Sequence, residues 1–66
     1  MHPSVSHLLH LFAYSHLPGY LQEVFRPFHE LTYAMAEGLE GPELSAGLRK
    51  LLEAKDCMVR AALGKV

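Results

Sequence analysis

The side chains best suited to binding a ligand are crowded into one short segment, Phe12-Ala13-Tyr14-Ser15-His16-Leu17-Pro18. The faces of aromatic rings stack on planar groups such as nucleobases, for about 1–3 kcal/mol per base. Histidine, arginine and lysine donors beside such a ring can hold phosphate oxygens. Phe12, Tyr14 and His16 are therefore candidates for a ligand-binding site.

The other aromatic residues differ in how well they fit a packed core. Phe25 and Phe28 continue an apolar helical stripe, so we expect them in the core. Tyr14 and Tyr20 do not continue a clean stripe, so a ligand-binding role and a packing role both stay open for them. The side chains available to donate to a phosphate are Arg26, His29, Lys50 and Arg60.

Metal and catalytic sites have weaker support in the sequence. His7 and His10 are three residues apart and share a helix face, where they can grip zinc together with a third ligand. No His-x-x-x-His pair occurs and Cys57 is the only cysteine, so we expect solvated or interface histidines and no metal. Cys57, Asp56 and the histidines supply the residue types of nucleophilic catalysis without a recognised spacing. We therefore expect neither an enzyme nor a cofactor.

The length of 66 residues predicts a single small helical domain, residues 1–66, with little interior. A chain near this size buries only about 60% of its unfolded surface, and small scaffolds usually need a disulfide, a metal or a partner subunit. One cysteine cannot form an internal disulfide, and half of the residues are apolar. The chain is therefore expected to associate with copies of itself.

Charge and hydropathy argue against two classes of partner. A net charge of −1 disfavours binding to duplex DNA, which attracts strongly basic faces. The uncharged run from Met1 to Gln22 lacks a basic start and is interrupted by prolines and histidines, so it predicts neither a signal peptide nor a membrane span. We expect a cytoplasmic protein that binds neither DNA nor membrane.

Apolar periodicity predicts three helices, over Pro3–Tyr14, Leu21–Leu39 and Pro42–Leu63. Ser4 or Ser6 is expected to cap the first of them. The first apolar stripe consists of Val5, Leu8, Leu9, Leu11 and Phe12. The second stripe consists of Leu21, Val24, Phe25, Phe28, Leu31, Met35 and Leu39.

Proline and glycine residues complete the fold prediction. Pro27 removes a backbone donor and clashes with the preceding turn, so we expect a kink or a new helix start near Arg26. Gly38 and Gly41 are expected to bracket the helix end as left-handed caps. A loop of residues 40–41 is short enough to make the second and third helices antiparallel neighbours. The predicted fold is all-α: a short N-terminal helix and an antiparallel two-helix hairpin, assembled as a homo-oligomer.

Several short motifs resemble those of a known family, the small phage sponge proteins of the second anti-CBASS type, over about residues 10–62. The resemblance lies in the length, the three-helix order and the position of the aromatic segment. The motifs that resemble the family are Phe12-Ala13-Tyr14 with the following His16 and Pro18, the spacing Phe28–Met35–Ala36–Leu39, Pro42-Glu43, and Lys50-Leu51-Leu52-Glu53-Ala54.

The resemblance implies a compact helical homo-hexamer that sequesters cyclic oligonucleotides of the host's antiviral signalling without cleaving them. In the family, cyclic dinucleotides lie between protomers, where a tyrosine at the position of Tyr14 stacks on a base. A basic residue of the second helix faces the phosphate, and His29 falls at that position with Arg26 nearby. Cyclic trinucleotides use a separate pocket lined by the last helix, which depends on an asparagine and an arginine.

The chain departs from this family in two respects, one in the last helix and one at His29. The family's Trp-Ala-Asn-Ala stretch is replaced by Cys57-Met58-Val59-Arg60, and the chain contains no asparagine, which argues against trinucleotide binding even though Arg60 can supply a cation. Histidine is mostly uncharged at neutral pH, so His29 offers a weaker phosphate contact than arginine or lysine. A related signalling nucleotide, such as a cyclic ADP-ribose variant, therefore stays open beside a cyclic dinucleotide.

The function expected from the sequence is that of a phage anti-defence sponge in the host cytoplasm. Its predicted ligand-binding residues are Phe12, Tyr14, His16, Arg26, His29 and Arg60. The alternative is a small helical adaptor or inhibitor of a host factor. In that case an exposed stripe of Leu8, Leu11 and Phe12 would dock into a groove of another protein.

Overall fold

The computed structural model describes residues 2–64, which form three helices and no strand. Helix α1 spans Pro3–His10, α2 spans Gly19–Gly38 and α3 spans Pro42–Leu63. This confirms the all-α class and the short N-terminal helix. The third helix begins and ends at the predicted residues, whereas α1 ends four residues before Tyr14. No helix in residues 2–64 has the length and apolar character needed to span a membrane.

Helix α1 starts with a cap that the sequence did not predict. Pro3 occupies the first turn, as expected, but neither serine caps the helix. Instead, Nδ1 of His2 accepts a hydrogen bond from the backbone N–H of Ser4 at 3.1 Å. An imidazole nitrogen can satisfy a free N–H at a helix start in the same way as a serine oxygen.

The buried core lies where α1 crosses α3. Its fully apolar part consists of Val5, Leu8, Leu9 and Leu48, with Ala36, Leu44 and Leu51 packed around it. Phe12, two residues beyond the end of α1, is also completely buried. Leu11 was expected in the same stripe, but it is 41% exposed. The adaptor hypothesis required Leu8, Leu11 and Phe12 to be exposed together, and the burial of Leu8 and Phe12 removes that stripe.

Helix α2 continues through Pro27, so of the two predicted outcomes the new helix start near Arg26 is wrong, and the kink stays a prediction. A proline removes one N–H donor from the helix, and the hydrogen bonds of the neighbouring turns can maintain the remainder. The single fully buried side chain of α2 within the described residues is Thr32. Of the predicted apolar stripe, Leu31, Met35 and Leu39 are 43%, 39% and 57% exposed. Much of the apolar face of α2 is therefore uncovered by its own chain.

The turn between α2 and α3 depends on one glycine. Gly41 has φ 99° and ψ 177°, and it is the N-cap of α3 ahead of Pro42. The predicted left-handed caps are therefore wrong: Gly41 has the positive φ but its ψ lies far from the left-handed helical value, and Gly38, the last residue of α2, does not have a positive φ. Side chains rarely tolerate the backbone conformation of Gly41 because of contacts with the Cβ atom.

Candidate ligand-binding site

The predicted aromatic segment is a compact turn between α1 and α2. Tight hydrogen bonds close the end of α1, from Leu11 N to Leu8 O and from Phe12 N to Leu9 O, at 3.1 and 3.0 Å. A second turn follows, in which the N–H of Leu17 donates to the carbonyl of Tyr14 at 3.0 Å. These bonds between residues three apart replace the α-helical pattern, which explains why the helix ends before Tyr14.

Two side chains from distant helices hold the start of this turn. Lys55 Nζ of α3 donates a hydrogen bond to the carbonyl oxygen of Leu11 at 3.2 Å. His29 Nδ1 of α2 lies 3.3 Å from the carbonyl oxygen of Phe12, which can only accept, so His29 is the donor. These two bonds satisfy the carbonyl groups of Leu11 and Phe12, which lie just beyond the end of α1. Tyr14, two residues beyond Phe12, lies against α2, where its ring meets that of His29.

Tyr14, His29 and Tyr33 form a continuous row of rings, which we call the aromatic cluster. The rings of Tyr14 and His29 meet edge to face, with centroids 5.0 Å apart and planes at 77°. The rings of His29 and Tyr33 are closer to parallel, with centroids 4.4 Å apart and planes at 33°. At the Tyr14 end of the row, the guanidinium carbon of Arg26 lies 5.9 Å from the ring centroid of Tyr14.

The local sequence places these groups side by side. Arg26, His29 and Tyr33 are separated by three and four residues on α2, a spacing that aligns side chains on one helix face. The Tyr14 ring reaches this face from the preceding turn. The aromatic cluster and Arg26 therefore combine stacking faces with a cation that always carries its charge.

The aromatic cluster lies open at the surface of a single chain. Tyr33 is 37% exposed and Arg26 is exposed, whereas Tyr14 and His29 are half-buried. A planar group can stack on such a platform, and a guanidinium at its side can donate to phosphate oxygens in a bidentate manner. One face of a bound ligand would remain in water unless a second surface covers it.

The structure brings together three of the six residues predicted to bind a ligand, Tyr14, Arg26 and His29. The ring of Phe12 is 0% exposed, so it supports the turn from within and has no free face. His16 is exposed on the turn. Arg60 lies in the last turn of α3, where its Nη2 atom is 3.3 Å from Sγ of Cys57.

Two contributors were not predicted as part of this site. Tyr33 follows His29 by four residues, and this spacing is a signal that could have identified it. Lys55 occupies a buried position of α3 seven residues after Leu48, where two helical turns bring it to the same face. A lysine in an apolar register indicates a partner for its charge, although the sequence does not show which one.

Lys55 is one of the two buried polar side chains in the described range and has several partners. It is 6% exposed, and its Nζ atom lies 4.6 Å from the ring centroid of Phe25 and 5.8 Å from that of Phe12. It also forms an ion pair with the half-exposed carboxylate of Asp56 at 2.9 Å. Attraction to ring faces, the carboxylate and the Leu11 carbonyl together offset the cost of burying an ammonium group.

Two grooves open beside the turn between α2 and α3 that contains Gly41, and neither is lined by a residue of the aromatic cluster. One of them, of about 310 Å³, is largely apolar. No group of three or more histidine, cysteine, aspartate or glutamate side chains within residues 2–64 is arranged to hold a metal ion.

Comparison with known protein families, with curated proteins and with solved structures finds no match to this chain. The geometry of the aromatic cluster and the sequence resemblance are therefore the two grounds for a functional proposal.

Proposed function

We propose that this protein is a phage anti-defence sponge, a homo-oligomer that binds a cyclic dinucleotide or related host signalling nucleotide and sequesters it without cleavage. The observation that supports this function best is the aromatic cluster with Arg26 at its side. It joins two residues from different segments of the chain, Tyr14 in the turn and His29 in the second helix. In the resembling family these two positions contact the base and the phosphate.

The chemistry of the aromatic cluster suits a planar anion better than a polynucleotide. Ring faces attract any base, whereas the cation nearest to the Tyr14 ring is a single arginine, Arg26. The net charge of −1 gives the whole chain no general attraction for polyanions. Selectivity for a small nucleotide would then come from stacking and from one or two phosphate contacts in an enclosed site.

Self-association would provide that enclosure. The open platform of the aromatic cluster needs a second surface, and α2 has exposed apolar side chains that need a cover, Leu31 and Met35 among them. The antiparallel arrangement of α2 and α3 in each protomer is supported by contacts far apart along the hairpin. Lys55 meets Phe25, while Met35 and Leu44 line one groove. We take a hexamer in the host cytoplasm as the working assembly, following the resembling family.

Thermal melting with a panel of cyclic nucleotides tests this function. A ligand at 100 times its Kd stabilises a protein by about 2.7 kcal/mol, which raises Tm by at least about 10 °C in a domain of this size. Tyr14→Ala and Tyr33→Ala should abolish the shift while the oligomer persists. Tyr20→Ala is the matched control, because Tyr20 is 45% exposed and lies outside the aromatic cluster.

The fate of the ligand distinguishes a sponge from an enzyme. Heating the loaded protein should release the nucleotide with its original mass and chromatographic retention time. Release of a hydrolysed nucleotide would mean that the protein is a nuclease and not a sponge. A panel that gives no shift for the wild type, or the same shift for wild type and Tyr14→Ala, would exclude the aromatic cluster as the binding site.

A further inference from the structure

The two ends of the hairpin differ in both charge and shape. Residues 34–48, around the turn between α2 and α3, contain three glutamates and no lysine or arginine. The apolar groove of about 310 Å³ lies here, and its polar rim includes Glu40 and Glu43. The apolar side chains that line it are Met35, Leu39, Leu44, Leu48 and Leu51. We call this region the acidic groove.

The opposite end is a helix tip with a positive charge. Residues 57–64, the last two turns of α3 and its C-cap Gly64, contain Arg60 as their one charged side chain. Met58 is 53% exposed and Leu63 is 46% exposed. Six of these eight residues are exposed, so the tip has little cover from its own chain. We call this region the basic tip.

We propose that the basic tip of one protomer docks into the acidic groove of the next, in a head-to-tail contact between copies of this chain. The inference rests on the self-association that the proposed function requires, and it adds the surfaces that meet. Leu63, which follows Arg60 by three residues and so shares its helix face, would enter the groove beside Met35 and Leu39. Arg60 would pair with the rim carboxylates instead of with the nucleotide.

A single chain cannot make this contact with itself. The groove and the tip lie on the same helix, since Leu44 and Arg60 are sixteen residues apart on α3. At 1.5 Å per residue this is a distance of about 24 Å along one rigid axis. The groove of a protomer must therefore be filled by another molecule.

Charge complementarity favours a second copy as that molecule. Arg60 opposes Glu40 and Glu43 in sign, and the matching apolar surfaces belong to the same chain. The negative end of the α3 dipole, at the tip, would approach the positive N-terminal end of α3 beside the groove. Two different surfaces in contact form a heterologous interface, which repeats around a ring and closes when the rotation allows.

Charge reversal with rescue tests the head-to-tail contact by sedimentation. The groove variant, E40R with E43R, should place like charges opposite Arg60 and raise the concentration needed for half-assembly by at least about tenfold. The tip variant, R60E, should raise this concentration by a similar factor, because its glutamate is repelled by the native Glu40 and Glu43. Neither variant has a mutation in the buried core, and far-UV circular dichroism checks that each stays helical.

A one-to-one mixture of the groove and tip variants should assemble again. Each contact in the mixture would join either the native tip to the native groove or the reversed tip to the reversed groove. A double variant, E30R with E53R, reverses two exposed charges outside both surfaces and should assemble like the wild type.

Recovery in the mixture together with normal assembly of the control would support the inference. Wild-type assembly of either single-surface variant, or failure of the mixture to recover, would overturn it. A monomeric wild type would overturn it together with the proposed oligomer. The melting panel on the wild type then reports separately whether a nucleotide binds.

Discussion

Replacing Lys55 with methionine tests how the ligand-binding turn is held in place. The Lys55 side chain is buried, and its ammonium group donates to the carbonyl oxygen of Leu11. Methionine retains most of the buried stem but has no donor and no charge. The Leu11 carbonyl then lacks this partner, at the point where α1 turns toward the aromatic cluster.

The expected loss of stability follows from these contacts. A hydrogen bond from a charged donor contributes about 1.5–3 kcal/mol, and a desolvated cation over an aromatic ring such as Phe25 adds about 1 kcal/mol. The ion pair with half-exposed Asp56 adds about 0–1 kcal/mol because solvent screens it. These contributions total about 2.5–5 kcal/mol, and the packed apolar stem, which methionine retains, adds no further loss. A loss of this size lowers Tm by at least about 10 °C in a domain of this length.

Calorimetry or circular dichroism melting of Lys55→Met measures this loss. Lys50→Met is the matched control, because Lys50 is an exposed lysine on the same helix, and its Tm should stay within about 4 °C of the wild type. Lys55→Arg retains a buried cation and donor, so its Tm should lie between those of Lys55→Met and Lys50→Met. Near-UV circular dichroism at room temperature should show a changed tyrosine signal for Lys55→Met, since Tyr14 follows the released turn.

A Lys55→Met variant that melts at or above the wild-type temperature would refute this reasoning. It would mean that the cost of burying the ammonium group exceeds the attraction of its partners, as happens for some buried ion pairs. An unchanged tyrosine signal together with a lower Tm would limit Lys55 to a general packing role.

The remaining predictions concern the turn glycine and the aromatic cluster. Gly41→Ala should lower the free energy of unfolding by about 1–3 kcal/mol in denaturant titration, because alanine strains the positive φ at this position. Gly38→Ala has open space around the new methyl group and should raise the free energy of unfolding by about 0.4–1 kcal/mol. Equal effects of the two substitutions would contradict the turn geometry. Arg26→Gln should weaken nucleotide binding by about tenfold or more in calorimetric titration and reduce its salt dependence. His29→Leu removes the bond to the Phe12 carbonyl and should lower Tm by about 4–8 °C; an unchanged Tm would show that this bond contributes nothing.

Periodicity predicted the long helices well because their signals are local. The Pro42 start of α3 follows from the preference of proline for a first turn, and the apolar repeat extends to Leu63. The predicted end of α1 at Tyr14 was wrong, because side chains from distant parts of the chain hold the carbonyl groups of Leu11 and Phe12 in a turn just beyond the helix. Lys55 is 44 residues from Leu11, and no window of local sequence contains both.

The candidate site was predictable in part for the same reason. Tyr14 and His29 were predicted from residue type and from the family resemblance, and α2 presents Arg26 beside them. The spacing of His29 and Tyr33 could also have indicated the third ring. The burial of Phe12 could not be predicted from local sequence. An aromatic residue just beyond a helix can face either the core or solvent, and the conformation of the following turn decides which.

Native mass spectrometry of the wild-type protein with a cyclic dinucleotide tests the central claim most directly. The account predicts one oligomeric species with intact ligand bound, and loss of that ligand, but not of the oligomer, in Tyr14→Ala. A ligand-free monomer at working concentration, or a bound species with the mass of a cleavage product, would contradict it.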